Sequence, residues 1–214
     1  ESAPYAYGES RAPERLADGI WCSRVAIAND PRTGQPVIAA IGTAPDLDDG
    51  SPRSRLLLYR RQDDGRWTET LVDDRFAYVD VDLALESDGD ARLVACVSAG
   101  AGGDWRLVEI EPDGARWRVG PLLWSLPGIA ATNIGACPRI VIDSANRSVV
   151  GFVADVAASP RYVAGVRSGG RWSFAEVGKL DIADVFGTVL TDTDGQAAGQ
   201  VVRGSGQSLF HFAP

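Results

Sequence analysis

Apolar and polar residues alternate along this chain in short runs, and the runs recur in four similar units. Each unit begins with an apolar run that passes through a turn rich in Asp, Asn and Gly into a second apolar run. The third apolar residue of each first run gives a common reference position, occupied by Ile27, Leu85, Ile142 and Leu190. These positions are 58, 57 and 48 residues apart, which indicates a repeated supersecondary unit with loop insertions.

Each of the first three units contains four short segments with strand-like patterns. The outer segments alternate apolar residues with Arg, Thr and Glu, whereas the inner two are almost continuously apolar, as expected where both faces pack on neighbouring sheets. Three units end on a strand that carries a tryptophan: Trp67, Trp117 and Trp172. No segment places apolar residues at helical spacing over three turns. The pattern therefore predicts an all-β fold, a β-propeller with four blades of four antiparallel strands.

A single propeller domain is predicted over residues 1–214, with blades at about 22–72, 80–120, 137–178 and 185–214. The last unit lacks a fourth strand, and an open blade would expose unpaired backbone groups. One solution is that the stretch before Trp21 pairs with the edge left by Ser208 to Phe212 and closes a four-bladed ring. The other is that the chain is part of a larger propeller whose remaining blades lie on another chain.

Composition and charge limit the partners. The 214 residues are 45% hydrophobic and 23% charged, which is ordinary for one globular domain. A net charge of −8 and the lack of a basic cluster disfavour nucleic acid. No apolar run approaches the roughly 18 to 20 residues that span a bilayer.

The chain contains no methionine and begins at Glu1. A removed signal peptide would explain both features, and the sequence therefore predicts a secreted or cell-surface protein.

The repeat register also brings charged residues to one end of the first strands. Arg24, Asp82 and Arg139 each stand three residues before their reference position, and Asp80 stands five before its own. If the first strands line the propeller axis, these four side chains converge at the mouth of the channel. They would then bind an anionic or carboxylate-bearing ligand through the guanidinium groups. Alternatively, they neutralise one another as a salt-bridged plug.

Two cysteines occupy equivalent repeat positions. Cys22 and Cys137 each lie five residues before the reference residue, on the first and third blades, which face each other across a four-bladed ring. They either form a disulfide across the channel mouth or are small residues at equivalent packing sites.

The acidic loops raise the question of a metal ion. Asp46, Asp48 and Asp49 lie in a long loop between Pro45 and Pro52 and are candidate Ca²⁺ ligands. They lack the twelve-residue spacing of a calcium loop, and Asp-Gly pairs are also common in hairpin turns. No other cofactor is predicted.

An uncharged apolar segment joins the second and third units. It begins at Pro121 and includes Leu123, Trp124 and Leu126, where a propeller would normally have a short polar loop. Large exposed apolar patches are uncommon on monomers, and tryptophan is a typical interface anchor. We therefore predict an interface with another chain; the alternative is an intramolecular cap over the channel.

Groups suited to catalysis are sparse, and no catalytic residue is assigned. His211 is the only histidine, and no serine, cysteine or metal ligand stands at a recognisable spacing from it. The sequence therefore favours a protein that is not an enzyme.

The repeated units resemble a known family over most of the chain, in four degenerate copies, and the first unit shows the motifs most clearly. The turn Asp30 to Val37 has the pattern Asp-x-x-x-Gly-x-Pro-Val, and it is followed by Leu-Leu-Leu-Tyr and by Gly-Arg-Trp-Thr-Glu. These motifs resemble the degenerate BNR-like, sialidase-type repeats of secreted bacterial β-propeller proteins. The resemblance implies the propeller fold and an extracellular habitat.

Two functions are consistent with these observations. The first is a non-catalytic extracellular binding or assembly module, which contacts a glycan or protein partner through loops and exposed aromatic residues. The second is a carbohydrate-active, sialidase-like hydrolase or a processed fragment of one.

Overall fold

The computed structural model describes residues 5–6, 14–16, 21–43, 54–98, 105–126, 138–156, 159–179, 186–191, 197–203 and 206–211. These residues form β-strands joined by turns and contain no helix, which confirms the all-β prediction. In particular, the described part of the chain has no helix long and apolar enough to cross a lipid bilayer.

Three four-stranded antiparallel sheets and one three-stranded sheet follow one another along the chain. Sheet 1 contains β3 (Trp21–Asn29), β4 (Pro36–Thr43), β5 (Arg55–Arg61) and β6 (Trp67–Asp73). Sheet 2 contains β7 (Ala77–Leu85), β8 (Ala91–Ser98), β9 (Trp105–Asp113) and β10 (Arg116–Leu126). Sheet 3 contains β11 (Arg139–Ile142), β12 (Ser148–Val156), β13 (Ser159–Ser168) and β14 (Arg171–Lys179). Within each sheet every strand pairs with the next one in sequence.

The last sheet has three described strands, and the two described N-terminal strands do not supply the expected fourth. Sheet 4 contains β15 (Phe186–Thr191), β16 (Ala197–Arg203) and β17 (Gly206–His211). The described N-terminal strands, β1 (Tyr5–Ala6) and β2 (Glu14–Arg15), pair with each other instead. A local hairpin satisfies their backbone groups without the entropic cost of closing a loop around the whole molecule. The prediction that this stretch completes the last blade is therefore wrong for the described strands.

Aliphatic side chains fill the spaces between successive sheets. One cluster joins sheets 1 and 2 and includes Ile41, Leu58, Leu83 and Leu93. A second joins sheets 2 and 3, and includes Phe152 from the latter. Because side chains alternate across a strand, the continuously apolar inner strands serve both neighbouring interfaces. The three repeat tryptophans each pack against one of the core clusters.

The turn between the first two strands is one residue longer in sheet 1 than in sheets 2 and 3, but all three turns contain a residue in the left-handed conformation. In each, the last turn residue adopts a positive φ: 69° at Gly34, 84° at Gly89 and 57° at Asn146. Glycine and asparagine tolerate this left-handed conformation better than other residues. The Asp/Asn/Gly turns that mark the repeat in the sequence are therefore the sites that require it.

The apolar segment after the second unit begins as a strand and not as a loop. Residues 121–126 continue β10, and Leu126 pairs with Trp105 on β9. The pairing shifts register between Val119 and Leu122 and again between Leu122 and Trp124, so the strand carries β-bulges. Extending an existing ladder satisfies the backbone of an apolar segment, which a loop would leave to solvent. The prediction of a loop is therefore wrong for this part of the segment.

Candidate functional site

The four charged residues selected from the repeat register lie at the junction of three sheets. The first strands are neighbours, since β7 lies beside both β3 and β11. Register shifts between Cys22 and Arg24 and between Tyr78 and Asp80 mark β-bulges next to two of the four residues. A bulge changes the direction of the side chains around it, and bulges are frequent beside functional sites.

Asp80 is the centre of this cluster. Its carboxylate is buried and forms ion pairs with two arginines from different sheets. Arg24 Nε lies 3.5 Å from Oδ1, and Arg139 Nη1 lies 3.5 Å from Oδ2. The structure thus brings together three of the predicted residues, one from each of sheets 1, 2 and 3.

Asp82 lies on the same strand and links sheet 2 to sheet 3 differently. Its Oδ2 accepts a hydrogen bond of 2.8 Å from the backbone N–H of Ile140. Burial raises the pKa of the Asp82 carboxyl to about 6, and the Ile140 N–H and the charge of Arg139 only partly offset this effect. A carboxyl group that titrates close to neutral pH therefore stands two residues from the buried Asp80.

Both arginines keep hydrogen-bonding capacity on the solvent side. The Arg24 side chain is 50% exposed and that of Arg139 is 42% exposed. Their Nη1 atoms donate to backbone carbonyls, of Ser23 at 3.0 Å and of Pro138 at 2.8 Å. These bonds hold each guanidinium in place. Neither the contacts to Asp80 nor the bonds to the backbone carbonyls use the Nη2 group of either arginine. The cluster can therefore donate to an anion or a hydroxyl group that approaches from solvent.

Replacing Asp82 with Asn should stabilise the protein at higher pH. The folded carboxyl has a higher pKa than its ordinary value of 3.8, so wild-type stability falls as the pH rises from that value to about 6. Asn cannot ionise but keeps an oxygen acceptor for the Ile140 N–H. We expect thermal melts to show equal stability near pH 4 and a gain of up to about 2 kcal/mol for Asp82→Asn at pH 7. A difference that does not change with pH would contradict this prediction.

The other predicted site residues are only partly within the described part of the chain. Cys22 is half-buried, and burial raises the pKa of its thiol, while Cys137 lies outside the described residues, so their pairing stays a prediction. The candidate calcium ligands Asp46, Asp48 and Asp49 also lie outside them. Leu123, Trp124 and Leu126 are placed on β10, but only their backbone is described, and the interface they were assigned to stays a prediction.

The opposite end of sheet 1 carries a polar cleft that the sequence did not indicate. It has a volume of about 200 Å³ and lies between the β3–β4 and β5–β6 turns. Buried Asp30 forms ion pairs at its floor with Arg32 at 3.0 Å and with Arg60 at 3.6 Å. Hydrogen bonding from Arg32 lowers the pKa of Asp30. Because these charges are already paired within the protein, they connect the β3–β4 turn to β5 and are not free for a ligand.

A buried ionic network between sheets 2 and 3 was also missed. Glu109 and Glu111 on β9 are buried, and Arg167 of sheet 3 reaches both of them, at 3.3 and 3.0 Å. Trp172 donates its indole N–H to Glu109 at 2.9 Å. In the sequence these glutamates alternate with Val108 and Ile110, which is the pattern of a solvent-facing strand side. The burial of the two glutamates could have been inferred only from Arg167 and Trp172, which face them from the next repeat.

Solved structures share this fold, although no protein-family model and no curated protein matches the sequence. A protein of unknown function from Dyadobacter fermentans superposes with a TM-score of 0.57 at 14% identity, over 86% of this chain and 63% of that one. An endo-arabinase from Bacteroides thetaiotaomicron gives 0.55 at 12% identity, over 88% of this chain and 74% of that one. A Hadza microbial sialidase gives 0.51 at 9% identity, over 88% and 45%.

These similarities are to the fold and not to a particular activity, because the identities are low. The chain spans less than two thirds of the Dyadobacter protein and less than half of the sialidase. The same all-β arrangement is therefore found in proteins that are longer than this chain.

Proposed function

We propose that the four sheets are blades of a β-propeller and that the protein is a non-catalytic, extracellular glycan-binding module. Its ligand site is the cluster of Arg24, Asp80, Asp82 and Arg139 at the first strands. The ligand class is a glycan that carries a carboxylate, held by the two guanidinium groups. A protein partner bearing an exposed carboxylate is the other occupant that this chemistry allows.

The propeller arrangement is supported by the way the sheets neighbour one another. In a propeller the first strands of successive blades lie side by side around an axis, and the blades pack face to face. Here β7 lies between β3 and β11, and β15 lies beside β11. The two large core clusters fill the spaces between successive sheets.

The observation that carries the ligand proposal is the pair of half-exposed arginines held on one buried aspartate. A salt-bridged plug alone would be expected to bury the arginines and pair them at short range with good geometry. Instead both contacts to Asp80 measure 3.5 Å, and both side chains keep access to solvent. Arginine recognises carboxylates with two parallel hydrogen bonds, and two fixed guanidiniums suit an anionic sugar better than a neutral one.

The solved structures of the same fold support a carbohydrate ligand. Two of them are an endo-arabinase and a sialidase, whose names place their activity on sugars. Sialic acid carries a carboxylate, which agrees with the arginine chemistry of the cluster. Sugars of this kind occur mainly outside the cell, so the proposal includes a secreted or cell-surface location.

Binding of acidic glycans should depend on both arginines. We expect the double variant Arg24→Ala/Arg139→Ala to lose at least about tenfold in affinity for sialylated or uronic-acid glycans, the scale of one lost charge-assisted hydrogen bond. Arg66→Ala is the matched control, because Arg66 is exposed on a turn and, among the described residues, its ion pair is with Asp64. Glycan-array screening followed by calorimetric titration measures the change. If wild type and the double variant bound acidic glycans equally well, the proposed site would be wrong. If wild type bound no acidic glycan, the proposed function would be wrong.

A carbohydrate-active hydrolase is a second candidate because of Asp82. Its raised pKa of about 6 would keep part of the carboxyl protonated near neutral pH, as a general acid requires. Nucleophile and base are not assigned. Aryl-glycoside hydrolysis that is abolished by Asp82→Asn would favour the hydrolase, whereas glycan binding without turnover favours the module.

A further inference from the structure

The connection between sheets 1 and 2 carries three exposed side chains of complementary chemistry. Asp74, Arg75 and Phe76 follow β6 directly and precede β7, and all three are exposed. Of the large hydrophobic side chains that are exposed among the described residues, only Phe76 is aromatic. This 74–76 triplet therefore offers a hydrogen-bond acceptor, a donor and an apolar ring on consecutive residues.

Groups beneath the connection hold it in place. Asp73 is buried and accepts hydrogen bonds from the Arg75 backbone N–H at 2.9 Å and from Arg75 Nε at 2.5 Å. The hydroxyl of Tyr78 donates to the same carboxylate at 2.8 Å. The carbonyl of Phe76 accepts a hydrogen bond of 3.1 Å from the backbone N–H of Ser54. A connection that is already ordered loses less conformational freedom when a ligand binds to it.

The guanidinium of Arg75 is positioned from two sides and keeps donors for a ligand. Its Cζ atom lies 5.7 Å from the centroid of the Phe76 ring. Its hydrogen bonds to Asp73 use the backbone N–H and Nε, and the side chain is 63% exposed. The two Nη groups, which these bonds do not use, can therefore donate to an acceptor that approaches from solvent.

The 74–76 triplet lies at the same end of the sheets as the arginine cluster. Strand β7 begins at Ala77, and its fourth residue is Asp80, which forms ion pairs with both arginines of the cluster. Because a strand rises about 3.3 Å per residue, the Cα atoms of Phe76 and Asp80 are at most roughly 13 Å apart. This distance is longer than one sugar ring and is within reach of a short oligosaccharide.

We infer that the 74–76 triplet is a subsite for a neutral sugar that is linked to the acidic sugar held by the arginine cluster. This inference rests on the proposed function and extends its ligand to an acidic oligosaccharide. A neutral sugar has hydroxyl groups that both donate and accept, which suit Arg75 and Asp74, and a ring face of C–H groups that packs on Phe76. A second acidic sugar fits less well, because the Asp74 carboxylate would repel it.

Calorimetric titrations with sialyllactose, free sialic acid and lactose test this inference. We expect wild type to bind sialyllactose about three- to tenfold more tightly than sialic acid, the scale of one added hydrogen bond. Phe76→Ala and Asp74→Ala should each remove most of this difference and leave the affinity for sialic acid unchanged. The matched controls Leu71→Ala and Asp63→Ala truncate an exposed apolar and an exposed acidic side chain elsewhere on sheet 1, and should bind like wild type.

A second set of sugars and a third variant make the test independent of one ligand and of one substitution. Glucuronic acid, glucuronosyl-xylose and xylose repeat the titrations with a uronic acid in place of sialic acid. Arg75→Lys keeps a positive charge beside the buried Asp73 but removes the Nη donors, and should also weaken binding of the oligosaccharides. Circular dichroism and thermal melts check that each variant is folded.

Several outcomes would overturn the inference. One is an oligosaccharide that binds no more tightly than its acidic sugar in both sets, and another is a preference that Phe76→Ala and Asp74→Ala leave unchanged. Tighter oligosaccharide binding by Asp74→Ala would indicate an acidic sugar at the triplet and would also contradict it.

Failure of the proposed function has a different signature. If wild type bound neither acidic sugar nor either oligosaccharide, the acidic-glycan function would be wrong. Binding of lactose or xylose that is lost in Phe76→Ala would then still support a neutral-sugar subsite at the triplet. If no neutral sugar bound either, both proposals would be wrong.

Discussion

Replacing Glu111 with Ala is expected to destabilise the protein by about 3 to 5 kcal/mol, the cost of breaking a buried ion pair from one side. Glu111 is buried and contacts three arginines: Arg92, Arg118 and Arg167. Two of these, Arg92 and Arg167, are themselves largely shielded from solvent. Removing the carboxylate leaves their charges partly unpaired between sheets 2 and 3. Urea denaturation followed by circular dichroism measures the loss.

Two further variants separate burial from charge. Glu111→Gln keeps the shape of the side chain but not its charge, so its cost should fall between wild type and Glu111→Ala. Asp64→Ala removes a carboxylate whose arginine partner, Arg66, lies on an exposed turn, and should leave the urea midpoint nearly unchanged. If Glu111→Ala were as mild as Asp64→Ala, the network would contribute nothing to the contact between the sheets.

Gly89→Ala should destabilise the turn end of the molecule, where sheets 1 and 2 meet. A Cβ at Gly89 would overlap the guanidinium of Arg32, and the backbone φ of +84° is unfavourable for any L-side chain. Arg60 also donates to the Gly89 carbonyl, at 3.0 Å, so the turn cannot move away freely. We expect a loss of about 1 to 3 kcal/mol, combining about 1 to 2 for the left-handed backbone with up to about 1 for displacing the half-exposed Arg32 guanidinium from Asp30.

Gly34→Ala provides a matched control for the backbone contribution. Gly34 holds the equivalent turn position with φ +69°, and a Cβ added there would meet no other atom within 4 Å. Its replacement should therefore cost only the left-handed backbone penalty. In an Arg32→Ala background the costs of Gly89→Ala and Gly34→Ala should become equal. Thermal melts would compare six proteins: wild type, the two glycine variants, Arg32→Ala, and Arg32→Ala combined with each glycine variant. If Gly89→Ala and Gly34→Ala were equally destabilising in the presence of Arg32, the argument would be contradicted.

Much of the fold could be predicted because each unit repeats the same pattern. The reference residues Ile27, Leu85, Ile142 and Leu190 all lie in the first strands of their sheets. Since the register was right, counting back from it located the charged residues that meet at the junction of the sheets. The periodicity of two in a strand fixes which side chains share a face, and the repeat fixes which strands are neighbours.

Side-chain partners between sheets could not be predicted in the same way. Glu109 alternates with apolar neighbours as a solvent-exposed residue would, and its burial depends on Trp172, which is 63 residues away. The segment from Pro121 to Leu126 has the sequence pattern of a loop because prolines and a glycine interrupt the region, whereas bulges accommodate the irregular part of the strand. Such contacts depend on packing between distant segments and leave no local pattern.

Every sheet is built from strands that are consecutive in sequence, and this has a consequence for biosynthesis. Sheet 1 can complete its backbone hydrogen bonds as soon as Asp73 has left the ribosome, before sheet 2 has been translated. Its inner strands would then hold Leu58 and Ile41 in place with their partner surface still missing. A nascent chain paused at that length should recruit chaperones that bind aliphatic β-surface, and should release them once translation has passed Leu93.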